Sequence, residues 1–198
     1  MGSLFFFVLK LRAAKLAFLA KTIKNSVIQF MKMKLLILTI ATFIGINTVF
    51  AQSVEKQVVG IRAEVAAINK AAKGYKKTTK DVEGVSLEGT EATYFTSGKG
   101  LKKITAKMYG ETFQATGEYY FQGEDLIFAY EKMSRYDGQI GLSKPVKVVK
   151  VEEKRFYFSG GKMIKMLAGK TSVKSGSEQW ENSEKDTLAL MKTFKEAF

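Results

Sequence analysis

Four carboxylates, Glu118, Glu124, Asp125 and Glu131, crowd one glycine-turned hairpin. A pair drawn from them is what an acid-base reading of the chain would use. Hydrolysis of a glycosidic bond uses two such groups roughly 5 to 10 Å apart, one with a raised pKa. A plainer reading competes: Glu124 and Asp125 suit a turn, and Glu118 and Glu131 suit surface pairing with lysine. No Gly-x-Ser-x-Gly elbow is present to strengthen catalysis. A second set is aromatic. Tyr94, Tyr120, Tyr130, Tyr136 and Tyr157 can stack on a sugar or line an apolar pocket, or can be ordinary cross-strand pairs. Arg135 and Tyr136 open a charged, glycine-bearing loop of the kind that carries recognition. These five tyrosines and Arg135 are the ligand-binding candidates; no residue is assigned to catalysis or to a metal.

The missing residue types narrow the chemistry further. The 198 residues contain no cysteine and no histidine. That removes disulfides, thiolate metal sites, catalytic thiols, Ser-His-Asp relays and the commonest general base near neutral pH. No cofactor is expected. The net charge of +13 falls to +6 for residues 52–198, because the first 51 residues hold seven basic groups and no acid. Beyond residue 51 only Arg62, Arg135 and Arg155 are arginine, whereas bidentate phosphate and base recognition favours arginine. Nucleic acid is therefore not an expected partner, and contact with a membrane is expected only through the targeting segment described next.

Lys32 and Lys34 precede an apolar run over residues 35–44, and Val49 and Ala51 occupy the first and third small positions before a cut. Cationic head, apolar core and small-residue cleavage site form an export signal over residues 31–51. Cleavage after Ala51 would leave Gln52 as the first mature residue, in the periplasm or outside the cell. An uncleaved anchor is the alternative, since residues 35–51 approach the length of a spanning helix. Residues 1–30 lie upstream of any ordinary signal. They read as the product of an upstream start codon, with a basic membrane-surface helix as the competing explanation.

Residues 52–198 are enough for one domain with its own core. Ser53 is placed as an N-cap. Val54, Val58, Ile61, Val65, Ile68 and Ala72 then recur at steps of four and three, which predicts an amphipathic helix ending near Gly74. Gly60 costs that helix about 1 kcal/mol relative to alanine. From about residue 85 to residue 168 the period becomes two and glycine turns punctuate the chain, predicting hairpins. The run Leu126-Ile127-Phe128-Ala129-Tyr130 lacks alternation, so it should be a central strand covered on both faces. Pro145 belongs at the start of an edge strand or in the loop before it. Ser183 and Asp186 have capping-box spacing ahead of a second apolar stripe from Leu188 to Phe198, with Trp180 as a packing anchor upstream.

One local pattern occurs three times. Tyr94-Phe95, Tyr120-Phe121 and Tyr157-Phe158 each precede a glycine turn and an aliphatic strand. Each should be a hairpin that sends one ring to either sheet face. The expected fold class is α+β: an antiparallel sheet of hairpins flanked by an N-terminal and a C-terminal helix.

The helix segment Ile61-Arg62-Ala63-Glu64-Val65-Ala66-Ala67-Ile68-Asn69, the piece Tyr109-Gly110-Glu111-Thr112, the strand pair around Tyr120 and Phe128, Arg135-Tyr136 and Phe156-Tyr157-Phe158 occur in an order that resembles a family of uncharacterised exported proteins of Gram-negative bacteria, notably Bacteroidetes. The resemblance covers most of residues 52–168. It implies a periplasmic or secreted α+β domain and carries no assigned activity. The functional expectation is thus a non-catalytic binding module for a small apolar or glycan ligand. A protein-interaction or inhibitory module acting on an envelope protein is the alternative, and a carboxylate hydrolase ranks below both.

Overall fold

The computed structural model describes residues 53–98, 100–142 and 145–198. The signal segment, its cleavage site and the upstream extension lie outside the described residues. Helix α1 covers residues 53–71 and tightens into a 3-10 turn at Ala72–Gly74. Eight strands follow: β1 (Lys76–Asp81), β2 (Thr90–Ser97), β3 (Gly100–Gly110), β4 (Phe113–Gln122), β5 (Asp125–Tyr136), β6 (Val148–Ser159), β7 (Lys162–Ala168) and β8 (Thr171–Ser172). Helix α2 (Glu178–Ala197) follows the last strand. All the described residues belong to one unit, Ser53–Phe198, and the α+β class expected from the sequence is observed.

Each strand pairs antiparallel with its neighbours in sequence, so the sheet is an uninterrupted meander in the order β1 to β8. The alternation of side chains gives the sheet two apolar faces. On one, Tyr94, Ile104, Tyr119, Phe121, Ala129, Phe156, Phe158 and Met166 pack against Trp180, Met191 and Phe194 of α2. On the other, Tyr120, Ile127 and Tyr157 pack against Val58, Ile61 and Ile68 of α1. The helices therefore cover opposite faces, and the middle strands are sandwiched as the unalternating run in β5 predicted.

The three Tyr-Phe motifs become three hairpins with the same defect. In β3, β5 and β7 the register against the preceding strand shifts by one residue just after the turn, leaving Lys102, Ile127 and Ile164 as the extra residues. These are β-bulges, which bend the strand and increase its twist. The bulge in β5 turns two consecutive apolar residues, Ile127 and Phe128, toward α1. It also explains the broken alternation read from the sequence. Gly123, Gly160 and Gly161 take positive φ in the turns, which only glycine adopts at little cost.

Four boundaries differ from the sequence reading. Ser53 is already helical rather than a cap. Strand β1, rich in lysine and threonine, precedes the predicted start of the sheet because its exposed face carries no apolar signal. The two-residue strand β8 falls in the polar stretch after Gly169. Helix α2 begins at Glu178, five residues before the Ser183–Asp186 pair. Its N-cap is Ser177, whose side chain accepts from the Trp180 backbone N–H at 3.3 Å, so Trp180 lies inside the helix. Pro145 sits in the loop before β6.

Candidate functional site

Tyr119, Glu131 and Gly117 organise the most distinctive site. Gly117 on β4 pairs with Glu131 on β5, and Tyr119 lies two residues further along β4 on the same face. Because Gly117 has no side chain, the Tyr119 ring lies down across it; a Cβ added there would come within 2.6 Å of Tyr119 Cε2. The phenol thereby reaches Glu131 and donates to its Oε1 at 3.3 Å. Glycine inside a strand often marks such a close approach.

Glu131 stands at one wall of a cleft of about 330 Å³ on the α2 face. Met108, Phe113, Ala115 and Met133 line it from the sheet, Val85 from the β1–β2 loop and Leu190 from α2. Phe113 folds over Gly110, where a Cβ would overlap its ring. The β1–β2 loop is held in place by Ser86, whose hydroxyl donates to the Gly89 carbonyl at 2.6 Å and contacts Thr90 Oγ1 at 2.8 Å. The rim is charged. Arg135 Nε lies 3.2 Å from Glu152, Lys150 approaches the same carboxylate at 2.9 Å, and Lys154 is the cross-strand partner of Glu131.

Burial pushes the Glu131 pKa above the ordinary carboxylate value. Lys154 and the Tyr119 hydroxyl oppose that rise, and Asp186 adds to it. Burial, together with the neighbouring Glu131 charge, likewise drives the Tyr119 phenol well above its usual value. The cleft thus presents an apolar wall, one carboxyl that accepts a proton more readily than usual, and cations at the mouth.

A second polar cluster occupies the opposite face, below the C-terminal part of α1. Lys103 Nζ donates to Glu118 at 2.7 Å and to Asn69 Oδ1 at 3.0 Å. The Tyr120 hydroxyl donates to Asn69 at 3.1 Å and makes a short bond to Glu118. Burial opposes the charge on both ions. Their mutual hydrogen bond and those of Tyr120 prevail, holding Glu118 below and Lys103 above their ordinary values. The Glu118 carboxylate, the Lys103 ammonium and the Tyr120 phenol all find partners within the cluster, so it reads as a clamp fixing α1 to the sheet.

The candidate residues from the sequence are dispersed by this geometry. Tyr94 is fully buried against α2 and donates to the Phe194 carbonyl at 2.8 Å. Tyr120 and Tyr157 are buried against α1, with Phe128 between them at ring distances of 5.8 and 5.0 Å. Tyr130 is half-buried with the Arg155 guanidinium 5.1 Å from its ring centre, and Tyr136 reaches Gln114 at 3.5 Å. Of the six, only Arg135 borders the cleft. Glu118 and Glu131 point to opposite faces, so no single bond can lie between them as carboxylate hydrolysis requires. Glu124 and Asp125 sit at the exposed β4–β5 turn.

Met108, Phe113, Met133 and Lys154 escaped sequence reasoning because nothing local distinguishes them from other strand residues. Gly117 was the available signal: a glycine at an inward position of an otherwise well-alternating strand. Among the described residues no cluster of three or more acidic, histidine or cysteine side chains is placed to hold a metal ion, and no helix is long and apolar enough to cross a membrane. Comparison of the chain with protein-family models, curated proteins and solved structures returns no match.

Proposed function

We propose that this chain is an exported, non-catalytic binding module of the Gram-negative cell envelope, related to the exported family it resembles, and that its α2-face cleft holds a small apolar ligand with a hydrogen-bonding head. The observation that carries this reading is Glu131, held by Tyr119 beside an otherwise apolar wall of methionines and Phe113. A desolvated carboxylate disfavours folding, and such groups collect in clefts where they meet a ligand. The cleft volume falls at the small end of the range for ligand pockets. An apolar ligand is favoured over a glycan because Tyr94, Tyr120 and Tyr157, the rings a sugar would stack on, belong to the core.

The test uses protein recovered from Gram-negative cells expressing the full-length gene. Intact-mass measurement should place the mature terminus at Gln52 in the periplasmic or secreted fraction; an intact Met1 in the cytoplasm overturns the export half. For the binding half, anilinonaphthalene sulfonate should fluoresce with the wild type. Ala115→Trp, which fills the cleft, and Met133→Arg, which charges it, should each abolish most of that signal while the circular dichroism spectrum is kept. Equal probe binding by all three proteins overturns it.

A further inference from the structure

Glu131 differs from the other glutamates of the sheet. Glu91, Glu118, Glu152 and Glu153 each have a lysine or arginine nitrogen 2.7 to 3.3 Å from the carboxylate. Among the described residues no basic group forms an ion pair with Glu131, and its cross-strand neighbour Lys154, which acts on it only at longer range, has no ion pair of its own. Tyr119 donates to one carboxylate oxygen, Oε1. The other accepts from no described group, and it is not sealed in, since every enclosed side-chain oxygen and nitrogen among the described residues has a partner. Glu131 lines the cleft, so this oxygen is the acceptor open to an occupant. A carboxylate withdrawn from water is costly without a cation, and buried charges in folded proteins are ordinarily paired. The fold leaves that pairing unmade.

The head of an occupant follows from the groups around that oxygen. An ionised carboxylate only accepts, so the head must donate. Within the cleft Glu131 and Asp186 of α2 oppose Lys154 of β6, and two acids against one base leave one negative charge uncompensated. A cation balances it. At the mouth Arg135 and Lys150 are both engaged by Glu152, and these exposed pairs are screened by solvent. A carboxylate head seated on Lys154 would face Glu131 across adjacent strands, where like charges repel. A hydroxyl offers one donor and no charge, whereas an ammonium offers several donors and a bond roughly twice as strong as a neutral one. Met108, Phe113, Ala115, Met133 and Leu190 supply the wall for a hydrocarbon tail. The cleft of about 330 Å³ holds about ten water-sized groups at ~30 Å³ each. We propose that the ligand of this cleft is an apolar primary amine, bound as its ammonium ion, with the nitrogen donating to Glu131 and the tail lying on the wall of methionines and Phe113. The assignment rests on the cleft being a ligand site, as argued above, and narrows the head to a cation.

Calorimetric titration of protein recovered from the full-length gene isolates the head, using three probes that share a tail: octylamine, octan-1-ol and octanoate, all at neutral pH. The amine should bind at least about tenfold tighter than the alcohol, and octanoate should bind most weakly. Glu131→Gln keeps the size of the side chain and removes its charge, so amine and alcohol should then bind with equal affinity. Ala115→Trp, which fills the cleft, should abolish the binding of all three. If none of the probes binds the wild type, the cleft is not a ligand site and both readings fall. An alcohol or octanoate that binds as tightly as the amine, or an amine preference that survives in Glu131→Gln, overturns the ammonium assignment alone.

Discussion

Replacing Gly117 by alanine should destabilise the protein although it removes no contact. The added Cβ would overlap the Tyr119 hydroxyl and lie 2.6 Å from Cε2 and 2.7 Å from Cζ, well inside ordinary van der Waals separation. Tyr119 cannot simply swing away, because it is fully buried and packs on Phe194 at a ring distance of 5.6 Å. Overpacking of this kind costs about 1–3 kcal/mol. Reduced freedom of the unfolded chain returns at most about 1 kcal/mol, so the net loss should be about 1–2 kcal/mol by urea denaturation with unchanged m-value. The partner substitution discriminates the cause. In a Tyr119→Leu background the collision is gone, and Gly117→Ala should become neutral or stabilising, a coupling of about 1–3 kcal/mol in the double-mutant cycle. A Gly117→Ala protein as stable as the wild type, or a loss that persists undiminished beside Leu at position 119, would refute the close approach that places Tyr119 on Glu131.

Three further outcomes are expected. Glu131→Gln should raise stability at pH 7 by roughly 1 kcal/mol. Because the raised pKa makes the ionised form costly in the folded state, the gap should close as pH falls through that pKa and the wild-type carboxyl takes up its proton, as thermal unfolding at several pH values would show. Glu118→Gln should cost about 1 kcal/mol, discounted for the partial exposure of Glu118. The depressed Glu118 pKa makes that cost full above the ordinary carboxylate value and lost as pH drops through the lowered one; hydrogen exchange should locate the loosening at the C-terminal part of α1. Gly60→Ala should stabilise by up to about 1 kcal/mol, since nothing lies within 4 Å of the added methyl, with the change read as a shift in urea midpoint.

The periodicities of 3.6 and 2 made the layers readable: α1 from Val58, Ile61 and Ile68, and strands β3 and β4 from Ile104, Ala106, Ala115 and Tyr119. The aromatic repeat disclosed the hairpins but not the bulges, because a one-residue slip leaves no mark except the broken alternation at Ile127 and Phe128. Strand β1 was hidden because only intermediate burial marks its inward residues Thr78 and Lys80. The cleft was least legible. It depends on which residues of β3, β4, β5 and β6 fall in register, and a tyrosine serves a core such as that around Tyr94, Tyr120 and Tyr157 as well as it serves a ligand site. Of the six candidates, Arg135 alone borders the cleft, at the end of β5 where it pairs with Glu152.

Strictly sequential pairing has a kinetic corollary. Each ladder closes between segments that are neighbours in the chain, so hairpins need only short loops to form, and growth can proceed from any of them. The oily side that carries Tyr94, Tyr119 and Phe156, however, has no lid until Glu178–Ala197 has been synthesised, after all eight ribbons. A nascent chain lacking that segment is a half-dressed ribbon stack. Its Tyr94, Tyr119 and Phe156 rings keep that face open to water until Met191 and Phe194 cover it.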